Sequence, residues 1–368
     1  MRDLKTFISF PYQLYANHKY WVPPLRFDEM NTLRKDKNPA FEHCTAKYWL
    51  AYKEGRPVGR IAGIINRRYV ELWRKKYARF GWIDFIDNEE VSMALLQTFE
   101  QWAKGEGMEA VHGPLGFTDM DREGMLVEGF DELGTLATIY NYPYYPMHLE
   151  KHGYVKDVDW VEYEMVGPRE VPEKISRIAK VVAERYNLRT LKVTKAKELL
   201  PYAKEIFQVL NNSYANLYGY VPLSEKQVDM YVKQYFSFII PDFVSVVLDG
   251  SNKVAAFGIT MPSMSKAMQK ARGRLFPFGF IHILNAMKQN DRVDLYLTAV
   301  RPDMQERGIN AILIYEMNVL YAKRKINRVE SNPELETNTK VRAQWRFYES
   351  RQHKRRRCFI KHLSPTAA

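Results

Sequence analysis

The chain has 368 residues, 46% of them apolar, with 55 Lys and Arg against 43 Asp and Glu for a net charge of +12. That length suits two domains better than one, and the apolar content supplies a sizeable core. No apolar run reaches the roughly 18 residues of a membrane span, and the charged start MRDLKTFISFPYQLY lacks a signal-peptide pattern. Only Cys44 and Cys358 occur, far apart, which fits a reducing cytoplasm and argues against structural zinc. A basic surface attracts nucleic acid, an anionic membrane face or a polyanionic cofactor. No RNA-binding signature or helix-turn-helix is present, so nucleic acid is the least favoured partner.

Residues 1–45 read as a proline-punctuated segment in which Trp21 to Leu25 forms an extended apolar lid or brace. Strands follow at Tyr48–Tyr52 and Val58–Ile65, joined by a hairpin turn, with a third at Gly81–Ile86. Glu89 to Lys104 predicts an amphipathic helix burying Val91, Leu95, Phe99 and Trp102. A strand at Ala110–His112, a glycine-containing loop, a helix at Tyr144–His152 and a strand at Val161–Met165 complete a first half. The division falls at Gly167 to Val171, giving domains 1–168 and 169–368.

The pattern then restarts. A helix at Glu173–Tyr186 and a strand at Thr190–Val193 precede helices within Lys197–Tyr218 and Glu225–Phe238. Val244–Leu248 and Val254–Ile259 form a second hairpin. Leu295 to Val300 plays the central strand, and Ile309 to Lys323 the helix behind it. A strand at Arg328–Glu330 and a helix over Asn338–Glu349 follow. Two similar α/β halves result, each a mixed, mainly antiparallel sheet flanked by helices. Between the central strand and its helix, Arg301-Pro302-Asp303 stops the strand and Gln305 to Ala311 makes a glycine turn. Such a turn presents unpaired N–H groups at a helix N-terminus, which suits a pyrophosphate.

This turn resembles the acyl-CoA motif Gln/Arg-x-x-Gly-x-Gly/Ala of GNAT-type N-acyltransferases. Gln305 and Gly308 match, and Asn310 stands where Gly or Ala is usual. Asn38 to His43, Gly55 to Ala62, Gly113-Pro114-Leu115, Glu123 to Asp131, Tyr140 to Tyr145 and Leu335 to Asn338 extend the resemblance to double-domain, GNAT-like bacterial N-acyltransferases, near bacterial ceramide synthases. The resemblance implies two tandem GNAT-like domains and transfer from acetyl-CoA or a longer acyl-CoA to a primary amine, with no metal. It implies a pantetheine strand at Thr298, Ala299 and Val300, and a diphosphate on Gln305, Arg307, Gly308, Ile309 and Asn310. Glu336 and Asn338 match the family's Leu-Glu-x-Asn, with Glu330 and Glu334 as further candidate bases. Tyr348 lies near where a GNAT tyrosine protonates the leaving thiolate.

The corresponding loop of the first half, Gly113 to Asp131, is acidic and would repel a diphosphate, so one donor site in the second half is expected. His112, Asp121 and Asn141 are placed to line a cleft between the halves; alternatively they are a strand-end histidine, a loop cap and a turn asparagine. Arg274 to Leu284, including Phe278, reads as core, or as a greasy wall for an acyl chain or a contact with an anionic membrane surface, peripheral at the inner face. The run Arg351 to Lys361 reads as a solvated basic face or a polyanion site. Two alternatives remain: an aminoacyl-tRNA-dependent transferase of the same fold, and a non-catalytic binding protein on a degenerate scaffold. Neither acceptor nor oligomeric state is legible.

Overall fold

The computed structural model describes residues 2–342, 344–345 and 348–364. The first half runs α1 (Arg2–Leu14), α2 (Arg26–Leu33), β1 (Cys44–Lys53), β2 (Arg56–Asn66), α3 (Arg67–Trp73), β3 (Tyr77–Phe85), α4 (Glu89–Gly105), β4 (Ala110–Gly113), β5 (Met125–Glu128), α5 (Tyr144–Lys151) and β6 (Val155–Val166). The second runs α6 (Glu173–Arg185), β7 (Arg189–Thr190), α7 (Leu200–Tyr214), α8 (Glu225–Tyr235), β8 (Val244–Leu248), β9 (Val254–Pro262), α9 (Ser265–Ala271), α10 (Gly279–Lys288), β10 (Arg292–Val300), α11 (Asn310–Arg324), β11 (Arg328–Glu330), β12 (Glu334–Leu335), α12 (Thr339–Arg342) and β13 (Ser350–His362).

One sheet carries all thirteen strands found among the described residues, in the order β1-β2-β3-β4-β13-β6-β11-β10-β9-β8-β7, with β12 on β6 and β5 on β13. The internal repeat is visible in the pairing. In each half an antiparallel hairpin is extended by an antiparallel third strand, and a helix crosses over to a parallel fourth. The helix α4 covers β2 closely: a Cβ on Gly63 would sit 2.6 Å from the Trp102 ring. The predicted face of α4, Val91, Leu95, Phe99 and Trp102, is buried.

The halves exchange strands. The strand β6 leaves the first half to pair with β11, and β13 leaves the second to lie between β4 and β6. The sheet is therefore continuous across residue 168. The expectation that Arg351 to Lys361 is a solvated basic face is corrected: it is a central strand. Its cations are neutralised by acids from elsewhere in the fold. Arg356 pairs with Glu162 and Lys354 with Glu330, while Arg357 meets Asp159 at 2.9 Å and Lys361 meets Glu100 at 2.9 Å.

The proline-punctuated segment 1–45 contains two helices, and Pro11 sits inside the first. Two further expectations are corrected. The strand expected at Thr190–Val193 is reduced to Arg189–Thr190. The helix expected over Asn338–Glu349 is α-helical at Thr339–Arg342 and 3-10 at Gln344 and Trp345, with a strand from Ser350; residues 343, 346 and 347 lie outside the described residues. The brace formed by Trp21 to Leu25 does tie the halves together. Gln269 donates to the carbonyls of Lys19 and Trp21, and the Arg26 N–H donates to the Gly273 carbonyl at 3.0 Å.

Candidate active site

The site begins where the second-half sheet opens. The strands β10 and β11 pair only from Arg292 to Asp294, while β10 stays with β9 as far as Val300. A bulge at Tyr296 turns the strand as the two part. Along the freed edge the carbonyls are held by side chains. Asn332 donates to Tyr296 at 2.7 Å, Tyr214 to Thr298 at 3.0 Å, and Ser213 to Val300 at 2.8 Å. In an antiparallel pair a residue's N–H and C=O point the same way, so the N–H groups of Thr298 and Val300 share this edge, while Ala299 faces β9. In the first half β3 and β4 part similarly, but the following loop fills the gap, with the Leu115 N–H bonded to the Phe80 carbonyl at 2.8 Å.

The open edge borders a cavity of about 1300 Å³ whose walls come from both halves. Its lining is mainly apolar, with Leu297, Met317, Met264, Met268, Ile283 and Met287 among the contributors. Asn310, Glu334, Asn338, Tyr348, Asp121 and Asn141 also reach it; Glu336, His112 and Phe278 stand off its wall.

At the turn, Gly308 adopts φ +78°, a left-handed conformation that favours glycine. The helix α11 starts at Asn310; the N–H groups of Ala311 and Ile312 bond the carbonyls of Gly308 and Ile309 at 3.0 and 2.9 Å, which leaves those of Gly308, Ile309 and Asn310 to face a ligand. Ile309, just before it, is buried and anchors the turn. Gln305 bends its amide back onto the Val300 carbonyl at 3.0 Å. Arg301 is committed to Asp303 and Asp249. Arg307 is exposed, its guanidinium 5.3 Å from the Tyr186 ring centre. The diphosphate features expected at this turn thus reduce to backbone N–H groups and one accessible cation.

Two of the candidate bases, Glu336 and Glu334, stand in different surroundings. Glu336 is held outside by Arg355 and Lys156, whose hydrogen bonds keep its carboxyl below the ordinary range. A carboxylate so paired is a poor proton acceptor. Glu334 lies in the cavity wall, and burial raises it to about 7 even though Trp345 Nε1 donates to both its oxygens at 2.9 and 3.0 Å. Asn338 caps α12, its side chain accepting from the Val341 N–H at 3.3 Å. The Tyr348 hydroxyl donates to Asn318 Oδ1 at 3.0 Å, and its ring lies 6.3 Å from that of Trp345.

Across the cavity stands the acidic loop of the first half. Burial raises Asp119 and Asp121 to about 6 and Glu123 further. Asp121 accepts N–H bonds from Phe117 and Thr118, as a loop cap would. The sequence placed Asp121 of this loop in a cleft, but did not single out Asp119 and Glu123, which also face the cavity. Asn141 is structural, bonded to both N–H and C=O of Leu126. His112 is fully buried, 2.8 Å from the Tyr218 hydroxyl, and desolvation lowers it to about 4.

Two side-chain groups have metal-ligand composition: His112, Asp157 and Cys358, and Glu162, Glu330 and His353. The first converges on the Tyr218 hydroxyl, and in the second the Lys354 ammonium reaches both carboxylates while Arg356 also pairs with Glu162.

Repeated halves, an open central strand and a glycine turn entering a helix give the chain a tandem GNAT-like fold. Among solved structures it is similar to a tandem GNAT protein from the clavulanic acid biosynthesis pathway, at a TM-score of 0.55 and 12% identity, covering 99% of this chain and 95% of that one. A GCN5-related N-acetyltransferase from Sphaerobacter thermophilus follows at a TM-score of 0.50 and 12% identity, covering 87% and 81%. In sequence the chain is similar to Protein YghO of Escherichia coli (strain K12), 29% identical over 368 residues, 98% of this chain and 93% of that protein. It is also similar to the bacterial ceramide synthase of Caulobacter vibrioides (strain NA1000 / CB15N), 26% identical over 291 residues, 78% and 74% of the two chains. No protein-family model matches.

Proposed function

We propose that the protein is an acyl-CoA-dependent N-acyltransferase with one donor site, in the second half, and a primary amine bearing a long apolar tail as acceptor. The observation that carries this reading is a large apolar cavity that meets both the free edge of β10 and a carboxyl poised near neutrality. The donor's pantetheine arm runs along Thr298 to Val300, and its diphosphate lies on the N–H groups of Gly308 to Asn310 beside Arg307. Glu334 takes a proton from the acceptor ammonium, and the freed nitrogen attacks the thioester carbon. A β10 N–H receives the carbonyl oxygen as it becomes an oxyanion. When the C–S bond breaks, Tyr348 gives its proton to the leaving thiolate. The acids Asp119 and Asp121 draw the cationic head of the acceptor into the cavity, and Glu123 beside them offers a hydrogen-bonding carboxyl. A relative named as a ceramide synthase fits this acceptor, because a ceramide is the amide of a long-chain amine.

The test is a thermal-shift panel with CoA, acetyl-CoA and palmitoyl-CoA, followed by turnover with a long-chain base. Stabilisation by the thioesters, strongest for palmitoyl-CoA, supports the reading. Absence of a shift with all three sinks it and leaves a binding scaffold.

A further inference from the structure

We propose that the outer face of α9, α10 and the loop between them is a docking surface for an anionic lipid bilayer. The loop thrusts Phe276 and Phe278 into solvent, 77% and 69% exposed, and α10 continues the patch with Phe280, Ile281 and Leu284. Monomeric soluble proteins rarely leave so many large apolar side chains together in water, and such patches mark interaction sites. Lys266, Lys270, Arg272, Arg274 and Lys288 surround them, all exposed, and no Asp or Glu occurs between Asp249 and Asp291. None of the five cations makes a salt bridge among the described residues. Apolar anchors within an unpaired cationic rim fit the boundary between anionic headgroups and acyl chains. A second copy of this chain is a poor occupant, since the two cationic rims would repel.

The patch is held in place. The Phe280 N–H bonds the Leu275 carbonyl at 2.8 Å, and the loop's base is tied to the N-terminal brace through Gly273. A Cβ on Gly273 would lie 2.4 Å from the Pro24 carbonyl, so brace and loop touch closely. The opposite faces of the same helices, at Met268, Ile283 and Met287, line the cavity together with Met264 just before α9. Docking would therefore set the cavity beside the bilayer. That consequence rests on the function proposed above, whereas docking itself does not.

The full chain is sedimented with vesicles of phosphatidylcholine alone and of equal parts phosphatidylcholine and phosphatidylglycerol. The expected result is binding to the anionic vesicles, weaker by about tenfold or more on the neutral ones and weakening as salt rises. A Phe276→Ser/Phe278→Ser variant loses about tenfold or more in partitioning while its melting temperature stays unchanged, since both rings are exposed. A Lys266→Gln/Lys270→Gln/Arg274→Gln variant loses the preference for anionic lipid. Equal binding to both vesicle types, unchanged binding by the phenylalanine variant, or conversion of a dimer to a monomer by that variant overturns the proposal. No CoA is needed, so failure of the acyltransfer reading is read separately.

Discussion

Replacing Glu162 by alanine strands a cation inside the sheet. Glu162 is 0% and Arg356 1% exposed, and they pair across the exchanged strands β6 and β13. Without Glu162, Lys354 keeps Glu330, but Arg356 keeps only the Ile139 carbonyl. Charges in contact interact by roughly 4 kcal/mol at an effective dielectric of 20, and breaking a buried pair from one side costs about 3–5 kcal/mol. Urea unfolding followed by circular dichroism should show Glu162→Ala destabilised by that amount, with the slope against denaturant unchanged. The double variant Glu162→Leu/Arg356→Met, which removes both charges, should recover most of the loss. A cost below ~1 kcal/mol for the single variant, or no recovery in the double, would refute the claim that this pair sits desolvated at the exchange.

Other outcomes follow from the same geometry. Because Glu334 is raised to about 7, its basic form predominates only above that pH, so log kcat/KM should climb with unit slope below about 7 and level above it. Glu334→Gln should lower the plateau by about 10²–10⁴ and abolish the limb; a limb unchanged in that variant would place the base elsewhere. Glu336→Gln, at a surface ion-pair position, should leave the profile intact. Finally, segments 1–168 and 169–368 expressed apart should be insoluble or molten, and co-expression should restore a folded complex. Independent folding of either segment, seen in its amide spectrum, would contradict the strand exchange.

What the sequence revealed and hid has local reasons. Both hairpins were legible because their turns and alternating strands lie within a few residues of each other. The helix α4 was legible because its buried face repeats at helical spacing. The strand β13 was not, because the acids that neutralise Arg356 and Arg357 come from β6, in the other half. Pro11 concealed α1, where Phe7, Ile8 and Phe10 are nonetheless buried. The helix starting after Asn338 is only four residues long, because the chain soon turns into β13. Glu334 and Glu336 look equivalent in sequence. They separate because β12 is only two residues long and the Glu336 N–H turns to bond the Asp159 carbonyl at 2.9 Å, carrying that side chain out to Lys156 and Arg355. The cavity was invisible for the same reason as β13: its walls come from both halves.

The most direct measurement is a calorimetric titration of CoA into the full chain and into Gly308→Glu, with circular dichroism as the folding control. The Gly308 backbone sits at φ +78° and a Cβ there would meet only Val182 at 3.4 Å, so the variant costs about 1–2 kcal/mol of local strain and should stay folded. The account predicts a single CoA site per chain in the wild type, and affinity at least about tenfold weaker in the variant, whose carboxylate stands where the diphosphate would lie. Equal affinity in both proteins, or two equivalent sites, would contradict a lone donor site at the turn before α11.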